Sequence, residues 1–200
     1  LGTSSYTLSA ANTFGILNGA ILATGGEDSI TPTSGGGTRL MWIPSKAAFR
    51  AGSVGGTQWD DSNIGQGSFA GGSDNIASGV ASVAFGVTNT ASGLASFSHG
   101  ISSTSSGNAS FVVGINAIAS NTAAVAFGED VIASGYHAMV FGRNSVASGD
   151  YATAFGRALT VSGSGSFGIS LDSAAVSLAT NNTFGVINGA ILATGTIGNT

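Results

Sequence analysis

Residues 77–90 read ASGVASVAFGVTNT, and this stretch decides the fold because its pattern returns every fourteen residues. Glycine recurs every seven residues from Gly65 to Gly163 at fourteen of fifteen positions, and Asn121 holds the remaining one. Ser stands before every second position of this series from residue 78 to residue 162, so the true unit has two unlike halves. A coiled coil also repeats every seven residues, but glycine in each heptad would break a helix and no leucine seam is present. We therefore exclude a coiled coil.

Inside each half, side chains alternate with a period of two, which is typical of β-strands. Val83 and Phe85 share one parity, whereas Ser82 and Ala84 share the other. The sequence therefore predicts an all-β fold in which each coil is a strand, a tight turn, a second strand and a second turn, with the glycines at the turns. Stacked about 4.8 Å apart, such coils form a parallel β-solenoid with fourteen residues per coil.

The larger side chains are predicted to lie inside this solenoid, between its two facing sheets. In the first half of the coil their column contains Phe85, His99, Phe127, Phe141 and Phe155. In the second half the expected inward column contains Ile76, Thr90, Thr104, Ile118, Ile132, Val146 and Thr160. The opposite parity carries Ala, Ser and occasional Val, and these small side chains would let a second copy approach closely. We expect a homo-oligomer, because a thin roll with a small interior is marginal alone.

Four stretches with the same phrase are similar to a known family. The phrases ASGVASVAFG, SNTAAVAFG, ASGYHAMVFG and ASGDYATAFG begin at positions 77, 120, 133 and 147. They resemble the head repeats of trimeric autotransporter adhesins, the YadA-like head. The resemblance implies a left-handed parallel β-roll, three chains packed side by side, and an adhesive role at a cell surface. Similar repeats also occur in phage tail fibres and in long secreted filaments.

Composition and charge narrow the classes of function. Five Lys and Arg residues against nine Asp and Glu residues give a net charge of -4. That sign is wrong for a phosphate-binding surface, so nucleic acid is not an expected partner. The longest apolar stretch, around Leu22, is too short and too interrupted to span a bilayer. The absence of Cys excludes disulfides and thiolate metal sites.

A second repeat flanks the solenoid. Residues 6–25, YTLSAANTFGILNGAILATG, match residues 176–195, VSLATNNTFGVINGAILATG, at thirteen of twenty positions. This arrangement is typical of one unit in a tandem array, and a pair of equivalent capping hairpins is the alternative. We expect an N-terminal connector at 1–34, a cap at 35–64, the β-roll at 65–170 and a C-terminal connector at 171–200.

Residues 35–64 differ from the repeats because they hold both Trp residues and three of the five cations. The open end of a solenoid exposes unpaired backbone groups and an apolar interior, which must be covered. We expect a plug made of Trp42, Ile43 and Phe49, with a rim of Arg39, Lys46 and Arg50. A ligand-binding tip is the alternative, because Trp and Arg are common binding anchors. Its candidate contact residues are Arg39, Trp42, Arg50 and Trp59.

Few side chains suggest chemistry. His99 stands in the predicted inward column, so a buried neutral imidazole is expected, although copies of it at a symmetry axis could hold an ion. His137 is expected on a strand, facing solvent. Adjacent carboxylates such as Asp60 and Asp61 would point to opposite faces of a strand and make no acid–base pair. Glu129 and Arg143, one coil apart, predict a surface ion pair. We expect no enzyme activity, no cofactor and no metal site.

These observations favour a structural and adhesive segment of a long extracellular or cell-surface fibre, and a unit of a tandem array. Its expected partners are copies of itself and surface molecules of a host, prey or matrix, bound through many weak contacts. A phage or injection-system tail-fibre segment is the main alternative. An ice-binding solenoid is a weaker alternative, because the column that contains Thr90 mixes Thr with Ile and Val instead of forming regular Thr ranks.

Overall fold

The computed structural model of the chain describes residues 22, 24–26, 31–171, 173–187 and 189. In these residues nineteen β-strands form two sheets, accompanied by short 3₁₀ turns at Pro44–Lys46 and Asp61–Asn63. The described chain is an all-β parallel solenoid, as the period-two alternation predicted.

From residue 69 onward, longer and shorter strands alternate along the chain. In chain order the strands are β1 (Gly37–Ile43), β2 (Ala48–Val54), β3 (Phe69–Ser73), β4 (Ile76–Ala77), β5 (Val83–Val87), β6 (Thr90–Ala91), β7 (Phe97–Ile101), β8 (Thr104–Ser105), β9 (Phe111–Ile115), β10 (Ile118–Ala119), β11 (Val125–Glu129), β12 (Ile132–Ala133), β13 (Met139–Arg143), β14 (Val146–Ala147), β15 (Thr153–Arg157), β16 (Leu159–Val161), β17 (Phe167–Ser170), β18 (Val176–Leu178) and β19 (Phe184–Ile187). The odd-numbered strands together with β2 form an eleven-stranded sheet, the long sheet, and the even-numbered strands from β4 to β18 form the short sheet.

The pairing register confirms the predicted coil. Val83 lies opposite Phe97 in the long sheet, and Thr90 lies opposite Thr104 in the short sheet, so successive coils are offset by fourteen residues. All these pairings are parallel, and each coil contributes one strand to each sheet. Because each strand of the repeats, from β3 onward, pairs with the equivalent strand of the next coil, equivalent side chains stack in columns along the solenoid.

The interior is filled by small side chains, and the prediction that Phe fills it is wrong. In one coil the four inward residues are Ser82, Ala84, Asn89 and Ala91, all with no exposed surface, whereas Phe85 is 46% exposed. A closed coil of fourteen residues leaves too little space between its sheets for aromatic rings. In the second half of the coil, too, the side chains predicted to face inward face outward. Ala91 is buried, and the column that contains Thr90 lies on the outer surface.

Buried amides and hydroxyls connect neighbouring coils. The Asn89 side-chain nitrogen donates to the carbonyls of Phe85 at 3.0 Å and Gly100 at 2.7 Å. Its oxygen accepts the backbone N–H of Ser103 at 2.9 Å. Each inward Asn therefore satisfies backbone groups of its own coil and the next one, which removes a desolvation penalty from the narrow interior.

Gly79 and its equivalents lie at the turns, as predicted, but the repeated glycines do not supply the left-handed residues of the corners. Non-glycine residues do so, for example Ala81 and Thr88, both with φ of 55°. Gly79 is required for another reason: a Cβ there would overlap the carbonyl oxygen of Gly93 in the next coil. Gly128 lies inside β11 with φ of 140°, and a Cβ on it would overlap the Gly142 carbonyl. Close approach between coils therefore explains the seven-residue glycine spacing.

The solenoid extends beyond residue 170. Phe184 pairs with Phe167 and Val176 pairs with Leu159, both at an offset of seventeen instead of fourteen. The second copy of the flanking repeat thus adds one further coil after a longer connection. Most of the first copy, at 6–25, and most of the predicted connector 1–34 lie outside the described residues.

Candidate interaction surface

The outer side of the long sheet, which we call the aromatic face, carries three columns of outward side chains. Each five-residue strand contributes its first, third and fifth residues, and most of them are large and apolar. Those with the greatest exposure are Phe85 (46%), Val87 (44%), Ile101 (47%), Phe111 (41%), Ile115 (45%), Phe127 (48%), Met139 (41%) and Phe155 (53%). Side chains this large and apolar normally lie inside a protein.

Phenylalanine rings of successive coils stack along this face. The ring centroids of Phe127 and Phe141 are 6.2 Å apart, and those of Phe141 and Phe155 are 6.0 Å apart. Phe97 and Phe111 stack more closely, at 4.9 Å with an interplanar angle of 10°. Each ring is supported by its neighbours along the solenoid, and its outer surface is left for a partner.

His99 belongs to the aromatic face and does not lie in the interior as predicted. Its ring makes edge contacts with Phe85 at 6.0 Å and with Phe97 at 6.4 Å between centroids. The imidazole is exposed in the single chain. It therefore places a polar ring within an otherwise apolar column.

One end of the aromatic face is charged. The column formed by the fifth residue of each strand changes in character along the face. It contains Val87, Ile101 and Ile115 in earlier coils and Glu129, Arg143 and Arg157 in later ones. An Arg143 nitrogen lies 3.2 Å from a Glu129 oxygen, which confirms the predicted ion pair. Both side chains are about half exposed, so the pair contributes less than about 1 kcal/mol to folding.

The Phe columns border shallow apolar clefts. Phe127, Phe141 and Phe155, with the glycines that follow them, line an open cleft of about 430 Å³. A second cleft of about 280 Å³ is lined by Val83, Phe85, Phe97 and His99. Open apolar clefts without charged groups are suited to apolar side chains of another protein surface.

The four candidate residues of the N-terminal segment occupy different environments. Trp42 is 40% exposed and pairs with Phe49, so it extends the aromatic face instead of forming the plug. Trp59 has no exposed surface, and its indole nitrogen donates to the Asn75 carbonyl at 2.9 Å. The Arg39 guanidinium lies 5.7 Å from the centre of the Trp59 ring. These residues therefore do not form a common binding tip.

Arg50 lies inside the first coils and not at a rim as predicted. It has no exposed surface, and its guanidinium donates to the Ser68 carbonyl at 3.0 Å and the Ala77 carbonyl at 3.1 Å. It also donates to the Ser68 hydroxyl at 2.8 Å. Desolvation by burial lowers the pKa of Arg50 to about 10. Arg50 therefore satisfies carbonyl groups where the solenoid begins.

A polar cluster holds the segment before the first coil. Lys46 forms an ion pair with Asp61 at 3.1 Å and donates to the carbonyl of Ile64 at the same distance. The Thr31 hydroxyl donates to the Asp61 carboxylate at 2.7 Å. Hydrogen bonds from Thr31 and Lys46 hold the pKa of Asp61 below its usual value. The cluster ties residues 31, 46 and 61 together.

Within the described ranges, no group of three or more His, Asp or Glu side chains is placed to hold a metal ion. The same part of the chain contains no helix long and apolar enough to cross a membrane.

Sequence reasoning missed one cluster of side chains. The rings of Tyr136, His137 and Tyr151 contact one another at the corner between the short and long strands, with centroids 4.1 to 5.7 Å apart. His137 was expected on a strand, but it lies at the corner itself with φ of 56°. The equivalent corner positions of four preceding coils carry Ala, and this contrast in the column was the available signal.

Comparison with known proteins identifies the repeat. The sequence model of the YadA head domain repeat matches two stretches of the chain, residues 77–97 and 133–157. No curated protein and no solved structure matches the chain. Both matched stretches contain a complete long strand, one with Phe85 and one with Phe141 and Phe155 on the aromatic face. Two stretches of the solenoid, residues 77–97 and 133–157, are thus copies of the YadA head domain repeat.

Proposed function

We propose that the chain is a structural and adhesive segment of a long extracellular fibre, in which three copies assemble side by side through the aromatic face. The observation that carries the proposal is the stacked Phe column, with Phe85, Phe127 and Phe155 each about half exposed in a single chain. The YadA head repeats support the same kind of assembly. The small side chains that were expected to face another copy fill the interior instead. The aromatic face is therefore the proposed assembly face.

Burial of apolar area would stabilise the proposed assembly. Monomeric proteins rarely expose a contiguous apolar patch larger than a few hundred Å². Burial of apolar surface contributes about 25 cal/mol per Å². Two of the three columns stay mostly apolar along the face, whereas the third carries Glu129, Arg143 and Arg157 in its later coils. The apolar clefts beside Phe127 and Phe97 would receive rings from neighbouring copies. In a closed assembly of three copies, the aromatic face of each copy is covered by the other two, so none of them stays exposed.

We further propose that residues 35–64 cap the N-terminal end of the solenoid. The β1–β2 hairpin continues the long sheet, with β1 antiparallel at the edge. Beneath it, Arg50 and Trp59 donate hydrogen bonds to carbonyls of the first coils. An end of this kind reduces the unpaired backbone that would otherwise favour uncontrolled strand addition. The repeated segment 176–195 supports a tandem array of such units rather than a C-terminal cap.

The proposed adhesion is mechanical and multivalent. Parallel backbone ladders in both sheets give a stiff rod, which displays the short sheet and the corners to the surroundings. These surfaces carry Ser, Thr and Asn in many coils. Weak contacts repeated along a fibre and across three chains would give avidity without one strong site. Because the proposed role is adhesion to other surfaces, we also propose that this segment lies outside the cell.

Sedimentation equilibrium tests the assembly. The expected mass is three times the 19.3 kDa of the chain. The double variant Phe127→Ser/Phe155→Ser should dissociate, because it places hydroxyl groups in the apolar contact. Ile132→Ser is the matched control, since Ile132 is 37% exposed on the short sheet. A monomeric wild-type protein, or unchanged mass in the double variant, would contradict the proposed face.

Attachment is tested with beads that carry the wild-type protein or the double variant at equal density. Wild-type beads should be retained on surfaces coated with an extracellular-matrix extract, and the dissociated variant should be retained at least several-fold less. Retention by bacterial envelopes alone would overturn the host-adhesion proposal in favour of the tail-fibre alternative. Equal retention of both kinds of beads would show that assembly makes no contribution.

A further inference from the structure

The corner that precedes the long strand has a simple composition until it reaches two adjacent coils. The residue at its left-handed position is Gly67 in the first coil, Ala at 81, 95, 109 and 123, and Gly165 near the end. Between these positions stand His137 and Tyr151. The corner therefore needs no aromatic side chain to form.

The two aromatic residues adopt a backbone conformation that bulky side chains seldom occupy. His137 has φ of 56° and Tyr151 has φ of 58°. Left-handed backbone is unfavourable for large L-residues, but the corner itself imposes it, since Ala95 and Ala123 have φ of 53° and 52°. The corner hydrogen bonds are made as in other coils, with the Tyr151 N–H donating to the Tyr136 carbonyl at 2.7 Å. The fold thus tolerates these side chains without requiring them.

Together with Tyr136, these rings form one continuous aromatic surface, which we call the tyrosine corner patch. The centroids of Tyr136 and His137 are 4.1 Å apart, and Tyr151 meets Tyr136 edge to face at 5.7 Å. Tyr151 is 60% exposed and Tyr136 is 39% exposed. Asp150 is fixed beside them, because its carboxylate accepts the Tyr136 backbone N–H at 2.9 Å. The patch therefore joins aromatic area to polar groups in fixed positions.

We propose that the tyrosine corner patch binds a neutral saccharide. A sugar ring presents C–H groups on one face and hydroxyl groups around its rim, and it requires an aromatic surface bordered by hydrogen-bonding groups. Tyrosine supplies rigid amphipathic area, and few polar groups suffice to orient a ligand. The two tyrosine hydroxyls, the His137 imidazole and the Asp150 carboxylate are the polar groups available here.

The chemistry of the patch also separates this ligand from charged ones. The Asp150 carboxylate disfavours phosphate, sulfate and acidic sugars. A quaternary ammonium ion would need aromatic faces separated far enough to enclose it. The three rings instead contact one another, with no centroid separation above 5.7 Å. A neutral saccharide lying on the outer surface of the rings fits both constraints.

The inference names a partner class for the proposed adhesive role, but it depends on the corner of a single chain and not on the assembly. The test uses the full chain in its native assembly state, with gluco-, manno-, galacto- and N-acetylglucosamine hexaoses as probes. Saturation-transfer NMR and calorimetry measure contact and affinity. We expect at least one hexaose to bind, and Tyr136→Ala/Tyr151→Ala to weaken it at least tenfold.

Matched variants distinguish binding from folding. Val80→Ala/Leu94→Ala removes two exposed apolar side chains from the column of Tyr136 and should leave saccharide affinity unchanged. Tyr151→Gly copies the Gly165 corner, so it should fold and still lose affinity. Binding with an unchanged Kd in both tyrosine variants, binding of choline or a peptide alone, or no hexaose binding would overturn the proposal. Sedimentation of the same samples shows separately whether the assembly proposal fails.

Discussion

At the scale of single residues, neighbouring positions on one strand have opposite requirements. Ala126 has no exposed surface and faces the interior, whereas Phe127 beside it is 48% exposed. Val112 and Val140 stand above and below Ala126 in the same inward column. Space along that column is therefore already filled by two larger side chains.

Placing an aromatic ring inside the coil should disrupt the solenoid. Ala126→Phe is expected to lower the free energy of unfolding by about 2–3 kcal/mol through overpacking. Val125→Phe is the control, because its neighbour Phe111 already occupies that outward column; it should cost less than about 0.5 kcal/mol. Guanidinium unfolding at one fixed protein concentration measures both. Equal destabilisation by the two variants would contradict the assigned parity.

Two glycines at different positions of the repeat, Gly79 and Gly67, test why glycine is needed. Gly79→Ala should destabilise by at least about 2 kcal/mol, because the added methyl group would overlap the Gly93 carbonyl. Gly67→Ala would make only ordinary van der Waals contacts, at 3.9 Å from the Ala81 backbone, and it copies Ala81 in the next coil. Its net cost should remain below about 1 kcal/mol, since left-handed strain is offset by lower unfolded-state entropy. Thermal unfolding compares them, and a larger loss at Gly67 would refute the close-approach explanation.

At the scale of elements, each coil is held by its backbone ladder and by side chains that bridge to the next coil. The inward column that begins with Asn75 and Asn89 continues with Ser103, whose hydroxyl donates to the Gly114 carbonyl at 3.0 Å. The backbone N–H of Ala117 donates to the same hydroxyl at 3.2 Å. Ser therefore makes a smaller version of the bridge that Asn makes.

Removing one of these bridges should lower the free energy of unfolding. Asn89→Ala leaves the Phe85 and Gly100 carbonyls and the Ser103 N–H without their partner, which should cost about 2–3 kcal/mol. Asn89→Ser should recover part of this loss, because Ser103 satisfies equivalent groups one coil later. Urea unfolding gives both values. If the Ser variant were no more stable than the Ala variant, the bridging role would be refuted.

The same scale explains what sequence reasoning predicted and what it did not. Strict spacing predicted strands, coil length, parallel pairing and the Glu129–Arg143 pair, because each depends only on periodicity. Alternation shows that two sets of side chains point to opposite sides of a strand, but it does not show which set faces the interior. That choice depends on the space inside the coil. The prediction therefore assigned Phe127 to the interior and His99 with it. The corner cluster was missed because Tyr136 and Tyr151 are fifteen residues apart and occupy different positions of the repeat, so they meet only where neighbouring columns pack at the corner.

At the scale of the whole molecule, column stacking turns a local repeat into an extended surface. The aromatic face runs along the long sheet from Trp42 to Phe184. The coil formed by residues 176–187 continues both sheets after a seventeen-residue offset. In the proposed assembly, this face would meet the identical face of another copy, because symmetry places equivalent columns at the same height.

The most direct test of this account measures which sheet faces the other copies. The chain has no Cys, so one spin label can be attached at Thr153→Cys on the aromatic face or at Thr160→Cys on the short sheet of the same coil. Dipolar spectroscopy of each assembly should give a shorter distance between chains at 153 than at 160, by more than about 10 Å, the spacing of packed sheets. The reverse order, or no coupling between chains at either site, would contradict the account.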